Sequence, residues 1–355
     1  MLFRSEALLA DGRPTEALAA LPKSAPGDLT HRVLLVRALA LNEAGRWKEA
    51  LAEWKRIDFT SLPEAQANQA RLGLAAAQLN ENQRPEGLKE LRQLTEKADV
   101  ATAEAARILL VKTLLADGKQ DEAEKELNLI QDKAPASTRM EARYWKAEIT
   151  AARGKSEEAR ELFQKLVEEA DGAGRDLLAR SWIAIGRIDR ARGKPADAAT
   201  ALEKALDRGG DPETYLAAAR EYLAAAQASQ SLPTAALRLR DSVRERENDD
   251  DKRGRFAPAL LLLGSATLES GNAEAAAADL DNLIKNYPAS PSVAGAQVIL
   301  AEALAKQGQE SAARDQLRSL LKKPDLSAEV LYQANFALAD LLDRKSTRLN
   351  SSHVS

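Results

Sequence analysis

The chain has 355 residues, of which 30 % are charged and 45 % hydrophobic, with a formal net charge of −3. That balance suits a folded core rather than a disordered tail, and it provides neither the basic field of a nucleic-acid binder nor a polybasic membrane patch. Cysteine is absent, which excludes disulfide frameworks, zinc–thiolate sites and thiol nucleophiles. No apolar run nears the roughly 18 residues that cross a bilayer.

The apolar share is mostly Ala and Leu, with aromatics at only 4 %. Both residues lose little side-chain freedom in a helix, and strand formers occur singly, so the predicted class is all-α. Met1 to Gly12 reads as the later part of a first helix and lacks the basic segment, apolar stretch and cleavage site of a signal peptide. The expectation is an internal methionine taken as a start, with any targeting signal lost upstream.

From there one landmark recurs: a Gly, or a stand-in, with Ala five residues on and an apolar residue nine on. In chain order it appears as Gly12/Ala17/Leu21, Gly45/Ala50/Trp54, the altered Asn82/Gly87/Leu91, Gly118/Ala123/Leu127, Gly154/Ala159/Phe163 and Gly193/Ala198/Leu202. A degenerate Gln230/Ala235/Leu239 follows, then Gly271/Ala276/Leu280 and Gly308/Ala313/Leu317. Successive landmarks lie 33, 37, 36, 36, 39, 37, 41 and 37 residues apart. The Gly ends a first helix where φ > 0 is needed, the Ala marks a close approach of two antiparallel helices, and the apolar residue lies on the buried stripe of the second. A further apolar residue at +12 or +13 (Ile57, Leu94, Ile130, Val167, Leu206, Ile284 and Leu321) extends that stripe. Pro14, Pro85, Pro195 and Pro233 fall at the opening of second helices, where proline removes no helix bond; Pro63, Pro135, Pro288, Pro291 and Pro324 separate repeats.

Organisation follows from spacing. Residues 1–206 form an N-terminal sub-array of about six repeats, the first truncated. Residues 207–256, with the degenerate copy and the charged run Arg244 to Gly254, form a joint, and 257–342 a second sub-array whose last unit is cut short. Asp343 to Ser355 is polar and aperiodic, resembles a translated sequencing adapter, and is expected to be non-native.

These landmarks resemble the tetratricopeptide repeat family. Its small residue seven before the Gly appears as Ala38, Ala75, Ala147, Gly186, Gly264 and Ala301, and its acidic residue before the Ala as Glu16, Glu49, Glu86, Glu122, Glu158 and Asp197. Its closing proline appears as Pro135 and Pro288. The spacing exceeds the family's about 34, and most of its first-helix aromatics are missing. The resemblance implies a right-handed superhelical solenoid of antiparallel helix pairs that binds a partner protein or peptide in its concave face. The run Asn286 to Pro291 and the helix to Gly308 are similar to repeat proteins of the bacterial cell envelope, which implies a periplasmic or outer-membrane-associated location.

Candidate chemistry is sparse. His31 is the only histidine outside the tail and has no acidic companions at metal spacing. Asp249 to Asp251 lack the alternation and central Gly of a calcium loop. No cofactor, metal or catalytic residue is therefore expected, and the chain reads as no enzyme. Arg71, Arg107 and Arg143 each stand eleven residues before their landmark; if that register lines the inner face, they form a ladder of guanidinium forks for partner carboxylates. The alternative is a solvated face. Trp145 and Trp182 are candidate anchors or simple packing residues. The expected function is a non-catalytic interaction scaffold, with a helical-repeat recognition arm of a larger enzyme or signalling protein as the alternative, and with self-association through bare terminal repeats. On the ladder reading, Glu at all three arginines abolishes partner binding while helicity is kept.

Overall fold

Helices form wherever the sequence places its Ala/Leu stripes, and they come in pairs. The computed structural model describes residues 2–10, 13–22, 29–169, 174–247 and 256–352; the Gly12 landmark, the Asp249–Asp251 run and His353 lie outside the described residues. Among the described residues there are nineteen α-helices and no strand. The helices up to residue 168 are α1 (Leu2–Ala10), α2 (Pro14–Ala20), α3 (Thr30–Glu43), α4 (Trp47–Trp54), α5 (Glu64–Asn80), α6 (Arg84–Lys97), α7 (Val100–Ala116), α8 (Gln120–Asn128), α9 (Ala136–Ala152) and α10 (Ser156–Glu168). A 3₁₀ turn, Phe59–Ser61, precedes α5. Then come α11 (Arg175–Ala191), α12 (Pro195–Arg208), α13 (Pro212–Ala228), α14 (Leu232–Glu247), α15 (Ala257–Glu269), α16 (Ala273–Asn286), α17 (Val293–Lys306), α18 (Glu310–Leu320) and α19 (Ala328–Ser352). None is long and apolar enough to cross a membrane. α19 runs through Ser352, so the break expected after Leu342 is not a helix end.

The turn inside each pair has one geometry. Gly45, Gly118, Gly154, Gly193, Gly271 and Gly308 have φ between +69° and +91°, and the stand-ins Asn82 and Gln230 both have +58°. Each turn closes with a bond from the next N–H to a carbonyl five residues back, as in Lys119 to Leu114 at 2.9 Å and Ser231 to Ala226 at 2.8 Å. This is the 6→1 bond of a helix ending in a left-handed residue.

The helices of a pair then meet through small residues. Ala50, Ala123, Ala159, Ala198, Ala276 and Ala313, five after the turn, are fully buried. Seven before it, the approach is closer still: a Cβ on Gly186 would lie 2.5 Å from Leu202 Cγ, and one on Gly264 2.5 Å from Leu280 Cγ. The +9 residues Trp54, Leu91, Phe163, Leu202, Leu280 and Leu317 are fully buried. The third member of the stripe is usually at +12: Leu94, Leu166, Leu283 and Leu320 are buried, while Val167, Ile284 and Leu321 at +13 are half-buried. Steps of four and then three residues keep one helical face turned to the core; Leu206 at +13 is buried, as expected.

The chain divides into two compact units, Met1–Leu162 with Asp171–Ala173, and Phe163–Ala170 with Gly174–Ser355. In the first, α3 to α8 pack successively, each on the next, around cores such as Trp54 with Leu34, Leu41 and Ala70. In the second, α11 to α19 do the same. The division runs through α10, and α13 and α14, which span most of the joint expected over 207–256, lie inside the second unit. There Tyr215, Tyr222, Leu239 and Val243 share one core with residues of α12 and α15, and Arg240 on α14 pairs with Asp279 on α16 at 2.7 Å. Arg246 seals the end of α14: its guanidinium lies 4.1 Å from the Tyr215 ring centre and donates to the Leu206 and Gly209 carbonyls at 2.5 and 3.1 Å. The degenerate repeat therefore departs from the pattern in sequence but not in packing.

Candidate partner-binding surface

Arg71, Arg107 and Arg143 occupy the same register on α5, α7 and α9, yet their surroundings differ. Arg107 is buried, with Nε donating to Glu104 at 3.2 Å and Nη1 to Glu126 at 2.7 Å. Glu104 is itself only 1 % exposed, and its other oxygen accepts from the Gln131 N–H at 3.3 Å. The guanidinium thus ties α7 to α8 and the segment after it. Arg71 is half-buried, 3.8 Å from Glu90 on α6. Glu90 and Glu126 both lie eight residues after their turn, so this register faces the second helix of its own pair. In the third pair Leu162 stands at that place, and Arg143 is exposed, 3.9 Å from Met140 Sδ. The structure therefore does not bring the three guanidiniums into one accessible row. The missed signal was the glutamate nineteen residues after the first two arginines.

Trp145 is half-buried against the α5–α9 core. It meets Tyr144 edge-on at 5.1 Å, and Lys112 Nζ sits 5.7 Å from its ring. Lys112 also pairs with Glu141 at 3.1 Å, while the Trp145 indole N–H is buried without a hydrogen-bond partner. In the second unit, Trp182 packs partly on the core there, with Lys204 Nζ 4.4 Å from its ring. Each tryptophan thus presents a packed edge and a face covered by lysine.

First helices of successive pairs lie side by side and leave grooves. One in the first unit, about 660 Å³, is lined by His31, Arg32 and Leu35 of α3, Gln66 and Gln69 of α5, and Glu6 of α1. Its charges are satisfied within it: Arg32 donates to both Glu6 oxygens at 2.7 and 2.8 Å and lies 5.0 Å from the Phe3 ring. His31 Nδ1 is buried without a hydrogen-bond partner. Among the described residues no group of three or more His, Cys, Asp or Glu could hold a metal ion.

Stacked helix pairs with a left-handed turn define a helical-repeat protein, and comparison with known families agrees. Family models described as tetratricopeptide repeat match residues 31–56, 138–209 and 261–328, so over these segments the chain is similar to tetratricopeptide repeats. No curated protein matches it in sequence. Solved structures similar to it include a tetratricopeptide repeat protein from Parabacteroides merdae, 16 % identical, covering 73 % of this chain and 97 % of that one, with a TM-score of 0.45. The apo form of the quorum sensor NprR from B. thuringiensis is 16 % identical over 90 % of this chain and 85 % of its own, with a TM-score of 0.47. A Podosopora anserina kinesin light chain with nearly identical repeats is 21 % identical over 51 % of this chain and 93 % of its own, with a TM-score of 0.38.

Proposed function

We propose that the chain is a non-catalytic interaction scaffold that holds a partner protein or peptide in the grooves between its first helices. The observation that carries this is the placement of polar and charged side chains there. His31, Arg32, Gln66 and Gln69 line a groove large enough for an extended segment, while the buried stripes serve only the pairing of helices. Grooves with a few placed polar groups over an apolar floor are the usual form of a binding site. Arg71 and Arg143 are the members of the earlier set that a partner can reach directly, while Trp145 and Trp182 are packed and covered by lysine and Arg107 is buried.

The test is photo-crosslinking in the cells the chain comes from. A benzophenone amino acid is placed at Gln66 or Gln69, and at Lys89, exposed on the second helix α6 away from the grooves between first helices, as control. Adducts to the same protein from both groove positions and not from Lys89 are expected. Adducts from Lys89 alone, or from none of the three, overturn the proposal.

A further inference from the structure

Two arginines of α11 converge on a single carboxylate. Arg187 Nε donates to one oxygen of Glu221 on α13 at 2.8 Å, and Arg190 Nη2 donates to the other at 2.7 Å. α11 and α13 are successive first helices of the second unit and pack on each other. The two arginine side chains are 57 % and 42 % exposed against 18 % for Glu221, so their remaining donors open to water. Arg220, next to Glu221 in the chain, is exposed and pairs with no carboxylate among the described residues. Ala217 and Ala224 stand one turn before and after Arg220, and Ala191 one turn after Arg187; residues at that spacing share a helix face, and alanines there leave the cations bare. The other acids of the two helices are placed elsewhere. Asp176 accepts from the Gly210 and Asp211 N–H groups at 2.6 and 3.0 Å, Asp189 is buried beside Arg192 at 3.8 Å, and Glu213 opens α13 two turns before Arg220. On α15, Glu269 accepts from Ser265 at 3.5 Å. The patch thus sets three guanidiniums against one carboxylate, whereas in the groove of the first unit a single Arg32 meets a single Glu6.

We propose that this patch binds an extended acidic segment of a partner protein, whose carboxylates reach Arg220 and the Arg187–Arg190 pair, and that Glu221 is an internal stand-in for one of them. Glu221 displays the geometry: two guanidiniums one turn apart engage both oxygens of one carboxylate, the planar recognition to which arginine is suited. An ion pair this exposed is worth little in water, so a partner carboxylate can share the two forks or displace Glu221 without loss of the fold. Alternate residues of an extended chain face one side, and the alanines beside Arg220 let its main chain come close. A nucleic acid fits less well. Phosphate chains bind through many successive contacts, whereas three cations stand here in a chain of net charge −3. The inference rests on the scaffold reading and names the chemistry of the partner.

The experiment uses the full chain and two fluorescent peptides, one with Glu at alternate positions and one with Gln in their place, followed by anisotropy. The Glu peptide is expected to bind about tenfold more tightly, a difference of about 1.4 kcal/mol. Arg220→Gln should reduce that preference, and Arg187→Gln with Arg190→Gln should reduce it further; these side chains are exposed, so circular dichroism should not change. Glu221→Gln should tighten the Glu peptide about threefold, because one exposed ion pair no longer competes. A Glu221 that only ties α13 to α11 would leave that affinity unmoved or weaken it. Equal binding of the two peptides, no binding of either, a preference that survives loss of all three arginines, or a Glu221→Gln variant without tighter binding overturns the proposal. Displacement of the Glu peptide by a single-stranded oligonucleotide of equal charge also overturns it, because the patch then takes anions in general. Crosslinks from Gln66 and Gln69 are unaffected by any of these results, so failure here is separable from failure of the scaffold reading.

Discussion

Replacing Arg107 with Met should destabilise the first unit far more than a surface arginine would. The guanidinium is the counter-charge of Glu104, which is 1 % exposed, and it also bonds Glu126. Glu126 can turn to water, so its share is about 0–1 kcal/mol. Glu104 cannot, and leaving a buried carboxylate uncompensated costs about 3–5 kcal/mol. Changing both members, Arg107→Met with Glu104→Met, removes the charge as well as its partner and should recover most of that loss. What remains is about 0.5–1.5 kcal/mol from the Gln131 N–H that Glu104 accepts from. Urea unfolding followed by helicity gives the totals, and amide exchange across α7 and α8 shows where protection is lost, since repeat arrays open locally. A single variant that loses under about 1 kcal/mol, or a double variant as unstable as the single, refutes the assignment of a buried charge pair. The same geometry alters an expectation from sequence: Glu at Arg71, Arg107 and Arg143 together cannot leave helicity unchanged, because it gathers a third carboxylate beside Glu104 and Glu126.

Gln230→Gly should stabilise the second unit by about 1 kcal/mol in thermal unfolding, because Gln230 holds φ at +58° and a left-handed non-glycine residue is strained by about 1–2 kcal/mol, partly offset by the freedom of Gly when unfolded. Gly186→Ala should lower stability by about 1–3 kcal/mol, the usual cost of overpacking, since its methyl would meet Leu202 Cγ at 2.5 Å; an unchanged melting temperature would show that α11 and α12 can part freely. Burial, with the nearby Glu203 charge, pushes the Tyr222 phenol up to about 12, and burial raises Tyr215 as well. Unfolded tyrosines ionise near 10, so stability should fall as pH rises from about 10 towards 12, and ultraviolet titration should show these phenolates forming late.

The pairing of helices was legible because it is local. A turn that requires a left-handed residue leaves its mark at one position, and even the altered copies were found by spacing alone: Asn82 and Gln230 take the same φ as each other. The alanines were legible because close approach admits little else. The third stripe residue was off by one where both +12 and +13 are apolar, as in Leu283/Ile284 and Leu320/Leu321, since adjacent apolar residues do not say which faces inward. The arginine register is recurrent in the sequence, but its partners Glu90 and Glu126 lie on another helix, and their pairing depends on how two helices cross. Odd spacing and charge near residue 250 suggested a joint, yet Arg246 with Tyr215 and Arg240 with Asp279 hold that stretch in the second unit through contacts 31 to 39 residues apart.

Within each unit a helix packs mainly on the elements just before and after it. A unit of this kind resembles a stack of zips more than a single lock. Pulled from its ends, it should yield pair by pair, each step releasing one hairpin's length of chain at a similar force, because among the described residues the helices pack on near neighbours in the chain. Held by a partner along several grooves at once, it could stretch or relax slightly without letting go, a spring constant set by how tightly each small residue meets its neighbour.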